Sequence, residues 1–143
     1  MKKVIIISSL LLVAIYLLAQ TKPKSTSQGG VDKASLERGK KIYDTYCLAC
    51  HQADGSGVPR LNPPLIKTKW VLGDKKELIT IILKGMDQPI EVDGEDYNNV
   101  MASHAFLQDQ EVADVLTYVR NSFGNKASGV TPAEVKTIRA TVK

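Results

Sequence analysis

The 143 residues are enough for one domain plus tails. The net charge of +4 is unevenly spread: residues 1–30 hold four lysines and no acid, residues 31–124 hold 11 basic against 14 acidic groups, and residues 125–143 hold four basic against one acidic. The central part is therefore mildly acidic, which argues against a nucleic-acid-binding core, since that needs a basic patch on the folded domain.

Lys2 and Lys3 precede an apolar run from Val4 to Ala19, the pattern of an export signal. The run is short for a bilayer core of roughly 30 Å at roughly 1.5 Å per helical residue. The cleavage site is poor, because Leu17 and Ala19 flank Leu18 where small residues are preferred. Residues 1–19 are thus read as a signal peptide or an N-terminal membrane anchor. Either one sends the chain out of the cytoplasm, to a periplasmic place or to the outer face of the membrane. Residues 20–34, polar and rich in Gly, Ser and Thr, read as a flexible linker.

A first helix is expected from Ser35 to Cys47, with Ser35 as N-cap and Asp32 as competitor. Leu36, Gly39, Tyr43, Tyr46 and Cys47 fall on one stripe at helical spacing. Gly39 in mid-helix costs about 1 kcal/mol against Ala and implies a packing reason. Next comes Cys-Leu-Ala-Cys-His at 47–51, the CxxCH signature of covalent c-type haem attachment. Two thiols add to the two vinyl groups of the porphyrin, and the adjacent histidine reaches the iron from the same turn. The chain has no other cysteine, so one haem c is expected, held through Cys47 and Cys50 with His51 as an axial ligand. A thioredoxin-like redox pair, a zinc site completed by His104, and a structural disulfide compete with this reading.

The stretch GSGVPRLNPPL that follows suits neither helix nor central strand. A second helix is expected over Lys75–Lys84, with Asp74 and Glu77 as a capping box, Gly85 after its end, and Leu78, Ile81 and Ile82 on its buried face. Residues 86–108 read as irregular, and the acidic residues Glu91, Asp93, Glu95 and Asp96 as a solvated loop. A third helix is expected over Gln110–Phe123, with Asp109 as N-cap and Gly124 after its end; Val112, Val115, Leu116, Val119 and Phe123 line its inner face. In the tail, Thr131, Pro132 and Glu134 mark a short capped helix whose stripe of Val135, Ile138 and Val142 packs back on the domain. The fold reads as all-α, and three short helices make a thin core that haem would fill.

The ligand on the other side of the iron decides between electron transfer and ligand binding. Met101 is the favoured residue, in a loop before the last main helix; His104, Met86 and an open site are the alternatives. Thioether sulfur is a soft neutral donor that favours Fe(II) and raises the potential.

The segments RGKKIYDTYCLACH, NPPL, YNNVMASHAFLQDQEVADVLTYVRNSFGN and VTPAEV resemble the small monohaem class I cytochromes c, in particular those that accompany or are fused to bacterial oxidoreductases. The likeness runs from Leu36 to Gly124 and continues weakly into the tail. It implies a cytochrome c domain over residues 35–124, with 125–143 as a tail carrying a short helix. It further implies that Gly39 and Tyr43 meet Tyr118 where the first and last main helices cross. Pro63 would accept a hydrogen bond from the histidine ligand, and Met101 would be the sixth ligand. Many relatives have Met-Pro where this chain has Met101-Ala102, which implies a looser ligand loop. Trp70, Tyr97, Asn98 and Arg60 match haem or propionate contacts weakly. The implied function is a single-electron carrier without catalytic residues, docking transiently to a donor and an acceptor. An electron-entry subunit of a larger dehydrogenase, nitrite reductase or oxidase, and a ligand-binding haem sensor or peroxidase, are the alternatives.

Overall fold

A computed structural model describes residues 31–142. The expected signal or anchor (1–19) and all of the linker up to residue 30 lie outside the described residues. Within them the chain forms six helices and one two-stranded sheet: α1 (Lys33–Tyr46), α2 (Leu48–His51), α3 (Lys69–Leu72), α4 (Lys75–Lys84), β1 (Ile90–Val92), β2 (Glu95–Tyr97), α5 (Asp109–Val119) and α6 (Pro132–Arg139). Among these residues no helix is long and apolar enough to cross a membrane.

Helix α1 starts two residues earlier than expected, so residues 33 and 34, read as linker, are helical. The Asp32 carboxylate accepts from the Ser35 backbone N–H at 2.8 Å and is the N-cap. The Ser35 side chain is thereby free to reach across the fold, and its hydroxyl donates to the buried Asp114 carboxylate on α5 at 2.6 Å. Arg38 adds two donors to the same carboxylate, at 2.6 and 2.9 Å, and Gln110 a third at 3.1 Å. This knot sits where α1 crosses α5, the most extensive helix contact of the fold. Gly39 lies at the crossing, where a Cβ would stand 2.1 Å from the Asp114 carbonyl oxygen and 2.7 Å from Tyr118 Cβ. The Tyr43 and Tyr118 rings meet beside it at 5.5 Å. The mid-helix glycine therefore serves close approach, as the resemblance implied.

Helix α4 keeps its expected bounds; Asp74 caps it by accepting from the Lys76 N–H at 2.7 Å. Its buried face is Leu78, Ile79, Ile82 and Leu83, while Ile81 is half-buried and turns to a cleft. Helix α5 is shorter than expected. Gln108 is its N-cap, in a capping box with Glu111, and the helix ends at Val119. Phe123 takes a left-handed conformation at φ 58° and packs its ring against Tyr43 and Tyr118.

The stretch 86–108 is not wholly irregular. Ile90–Val92 and Glu95–Tyr97 pair antiparallel across Asp93-Gly94, both at positive φ (52° and 86°). Asp-Gly between alternating apolar residues is a strong hairpin signal, and it corrects the expectation of a plain loop. Glu91, Asp93, Glu95 and Asp96 are exposed, as a solvated face requires.

Helix α6 carries the expected capping box of Thr131 and Glu134 and buries Val135 and Ile138 against α4 and α5. Several ties fasten the tail, among them Arg139 of α6, which donates to Asp109 and to the carbonyls of Ala105 and Leu107. Arg120, buried, donates to the carbonyls of Val71 (2.6 Å), Gly73 (3.2 Å) and Ser128 (2.9 Å). Asn125 bridges the carbonyls of Leu65 and Val119 and accepts from the Lys67 N–H. Lys75 pairs with Glu134.

Candidate functional site

A cleft of about 290 Å³ opens between the helices and is lined mainly by apolar side chains of α1, α4 and α5 and of the two long loops. Tyr43, Leu78, Ile82, Val115, Leu116 and Val119 form its floor. Cys47, Cys50 and His51 line it, so the three residues of the motif share one wall. Their placement follows from local structure. The first helix ends at Tyr46, and α2 makes a single turn from Leu48 to His51, so both sulfurs and the imidazole leave consecutive turns of chain.

His51 is oriented by the loop that follows. Pro63 has only a carbonyl to offer, so His51 Nδ1 carries the proton and donates to the Pro63 oxygen at 3.0 Å. That leaves the Nε2 lone pair free for a metal. The carbonyl is brought there by Gly57, whose φ is +66° and where a Cβ would stand 2.3 Å from the Asn62 oxygen and 2.7 Å from the Pro63 oxygen. Burial pulls the His51 pKa down against the Pro63 bond, which raises it, and keeps the ring in the neutral form that binds metals. The Cys47 thiol is pushed up to about 11 by burial, with the neighbouring Cys50 adding to it. A thioether carries no ionisable proton, so attachment removes this burial penalty. The two cysteines are unpaired with each other, and no group of three or more His, Cys, Asp or Glu among the described residues could hold a metal ion. The disulfide and zinc readings thus find no support in the geometry.

Met101 enters the same cleft from the loop before α5, half-buried and packed against the core cluster. Met86 and His104 line it as well, so all three sequence candidates for the sixth ligand gather here. Met86 and Met101 are paired through their backbones, N–H to carbonyl both ways at 2.9 and 2.8 Å. The His104 ring clusters with Tyr46 and Phe106, at 6.5 and 5.7 Å, and its buried Nδ1 has no hydrogen-bond partner among the described residues. Of the weakly matched contacts, Trp70 and Tyr97 line the cleft, whereas Asn98 and Arg60 are exposed and do not. Arg60 instead approaches Glu95 at 3.6 Å in a solvent-exposed pair. Polar contact across the rim comes from Asn62 and Asn99, joined at 2.8 Å. Asn62 and Asn99 fall within the segments that carry the resemblance, but their mutual contact joins loops 37 residues apart and no local pattern points to it.

Residues 36–123 match the cytochrome c family model. The chain belongs to the cytochrome c family. Cytochrome c-552 of Thermus thermophilus is 40% identical over 121 residues, 78% of this chain and 80% of the relative. The cytochrome c subunit of the quinone alcohol dehydrogenase of Gluconacetobacter polyoxogenes is 36% identical over 105 residues, 72% of this chain and 22% of that subunit. A cbb3-type cytochrome c oxidase subunit of Azospirillum brasilense is 34% identical over 121 residues, 80% of this chain and 35% of that subunit. The mostly helical architecture, with only a small two-stranded sheet, agrees with the class I cytochrome c fold. Membership brings covalent haem c, and the residues fit it. An apolar cleft has two thiols on one wall beside an imidazole whose Nε2 is free. The cytochrome is an electron-transfer protein, as its relatives are.

Proposed function

We propose that this cytochrome carries single electrons with the haem iron held between His51 and Met101, and that it catalyses no reaction of its own. Bound haem supplies the Fe(II)/Fe(III) couple. The chain holds the two ligands, excludes water with its apolar floor, and orients His51 through Pro63. The observation that carries the reading is that His51 and Met101, fifty residues apart, line one apolar cleft. Met86 and His104 line it too, and the resemblance to class I cytochromes c is what singles out Met101. A soft thioether in such a pocket stabilises Fe(II) and leaves no position for a substrate. Redox partners would dock briefly over a small interface. The apolar N-terminal run supports export, to the periplasm or to the outer face of the membrane by an uncleaved anchor. The family match over residues 36–123 supports a cytochrome c domain over residues 35–124.

The test is the visible spectrum of the haem-loaded protein, oxidised and reduced, with and without carbon monoxide. Wild type is expected to be low-spin, to show a sulfur-to-iron charge-transfer band and to bind carbon monoxide only weakly, at high gas concentration. Met101→Ala is expected to lose the band and bind the gas. Retention of the band in Met101→Ala would exclude Met101, and ready gas binding by wild type would favour a sensor or peroxidase.

The relatives that are subunits of dehydrogenases and an oxidase support a second reading, a fixed electron-entry subunit. Co-purification of the full chain with a larger complex from native membranes would favour it over a free carrier.

A further inference from the structure

The loop that carries Met101 forms the C-terminal cap of α4. A helix leaves its last four carbonyls without intrahelical partners. In α4 the Ile81 oxygen accepts from the Gly85 N–H (2.8 Å), the Ile82 oxygen from the His104 N–H (2.8 Å), and the Leu83 oxygen from the Ser103 hydroxyl (2.6 Å). The same hydroxyl accepts from the Ala105 N–H at 3.2 Å. Gly85, at φ +77°, lets the loop lie flat on the helix end, where a Cβ would stand 2.4 Å from the Met101 oxygen and 2.8 Å from the Ser103 nitrogen. Met101 itself is held by its paired backbone bonds to Met86. The looseness expected from Ala102 is thus answered by hydrogen bonds on both sides of it.

We propose that Ser103 is a positioning residue for the sixth ligand. Its hydroxyl pins the loop to α4 and so limits how readily Met101 leaves the iron. The inference rests on the assignment of Met101 as that ligand. Removing the hydroxyl leaves the Leu83 carbonyl and the Ala105 N–H without it, while the Met86 pairing and the His104 bond remain. The ligand is then expected to dissociate more readily, not to be lost.

The experiment compares haem-loaded, full-length wild type, Ser103→Ala, Ser103→Thr, Ser35→Ala and Met101→Ala by carbon monoxide titration of the reduced form and by the charge-transfer band of the oxidised form. Ser103→Ala is expected to bind carbon monoxide about three- to tenfold more tightly, the equilibrium weight of one net hydrogen bond, with a weaker band. Ser103→Thr, which keeps the hydroxyl, is expected to match wild type. Ser35→Ala removes a hydroxyl bond at the α1–α5 crossing and reports general loosening; it too is expected to match wild type. Wild-type behaviour of Ser103→Ala, an equal change in Ser35→Ala, or loss in Ser103→Thr as well would overturn the proposal. If Met101→Ala keeps the band, the ligand assignment itself fails; if Met101→Ala loses it while Ser103→Ala is unchanged, only the role of Ser103 fails.

Discussion

Gly39 and Gly57 do similar work at two places in the fold: each lets one segment come closer to another than a side chain would permit. At Gly39 the obstacle is backbone, because a Cβ there would stand 2.1 Å from the Asp114 carbonyl oxygen, and neither helix can yield without moving the other. Gly39→Ala should therefore destabilise the haem-loaded protein by about 3 kcal/mol, the upper part of the usual cost of overpacking. The measurement is the guanidinium midpoint at constant slope; a change under about 0.5 kcal/mol, the range of a neutral surface substitution, would mean that α1 and α5 are not so closely apposed. Gly39 is legible from its helical context, because an interior glycine is costly unless something approaches it. Gly57 is not, because a loop rich in glycine and proline offers many reasons for each one.

Helix α6 shows how an element takes its stability from ends and ties as well as from its apolar stripe. Its Glu134 carboxylate accepts from the Thr131 N–H at 2.7 Å and pairs with Lys75 on α4. Burial works to raise the Glu134 pKa, but the bonds from Lys75 and Thr131 outweigh it, and the net shift is downward from 4.5. A carboxylate whose folded pKa is depressed adds stability above its unfolded pKa, and that stability is lost as pH falls through the folded value. Glu134→Gln should thus be less stable than wild type at pH 7, with the gap constant down to about pH 5 and closing below about pH 4.5. Thermal unfolding of both proteins across pH 3–7 checks this; a gap independent of pH would assign the loss to capping geometry alone. The other elements show what pattern can and cannot reveal. Caps at Asp74 and Thr131 are readable because they are local. Ser35 has the local marks of an N-cap, but its hydroxyl goes to Asp114, 79 residues away, where no local pattern points.

For the whole molecule, the floor of the cleft is part of the hydrophobic core. Leu78, Ile82, Val115, Leu116 and Val119 belong both to the core cluster and to the lining. Without haem these side chains would meet water, and burial of apolar surface is the main favourable term in folding. The chain made without haem attachment should lose much of its helical circular dichroism and its cooperative thermal transition. Equal helix content and an equal midpoint with and without haem would show that the polypeptide alone suffices.

Haem attachment and the helical class are readable along the chain because they depend on near neighbours: the CxxCH spacing within five residues, and apolar residues at helical spacing. The Asp-Gly hairpin is equally local, although the acidic residues around it give the segment the look of a solvated loop. The placing of Met101 and His51 on one cleft, the Asp114 knot and the capping of α4 by the loop that carries Met101 depend on segments far apart in sequence. No local preference encodes such contacts. They arise when the α1–α5 crossing and the tail ties bring the loops together, and there the distances and hydrogen-bond partners are set.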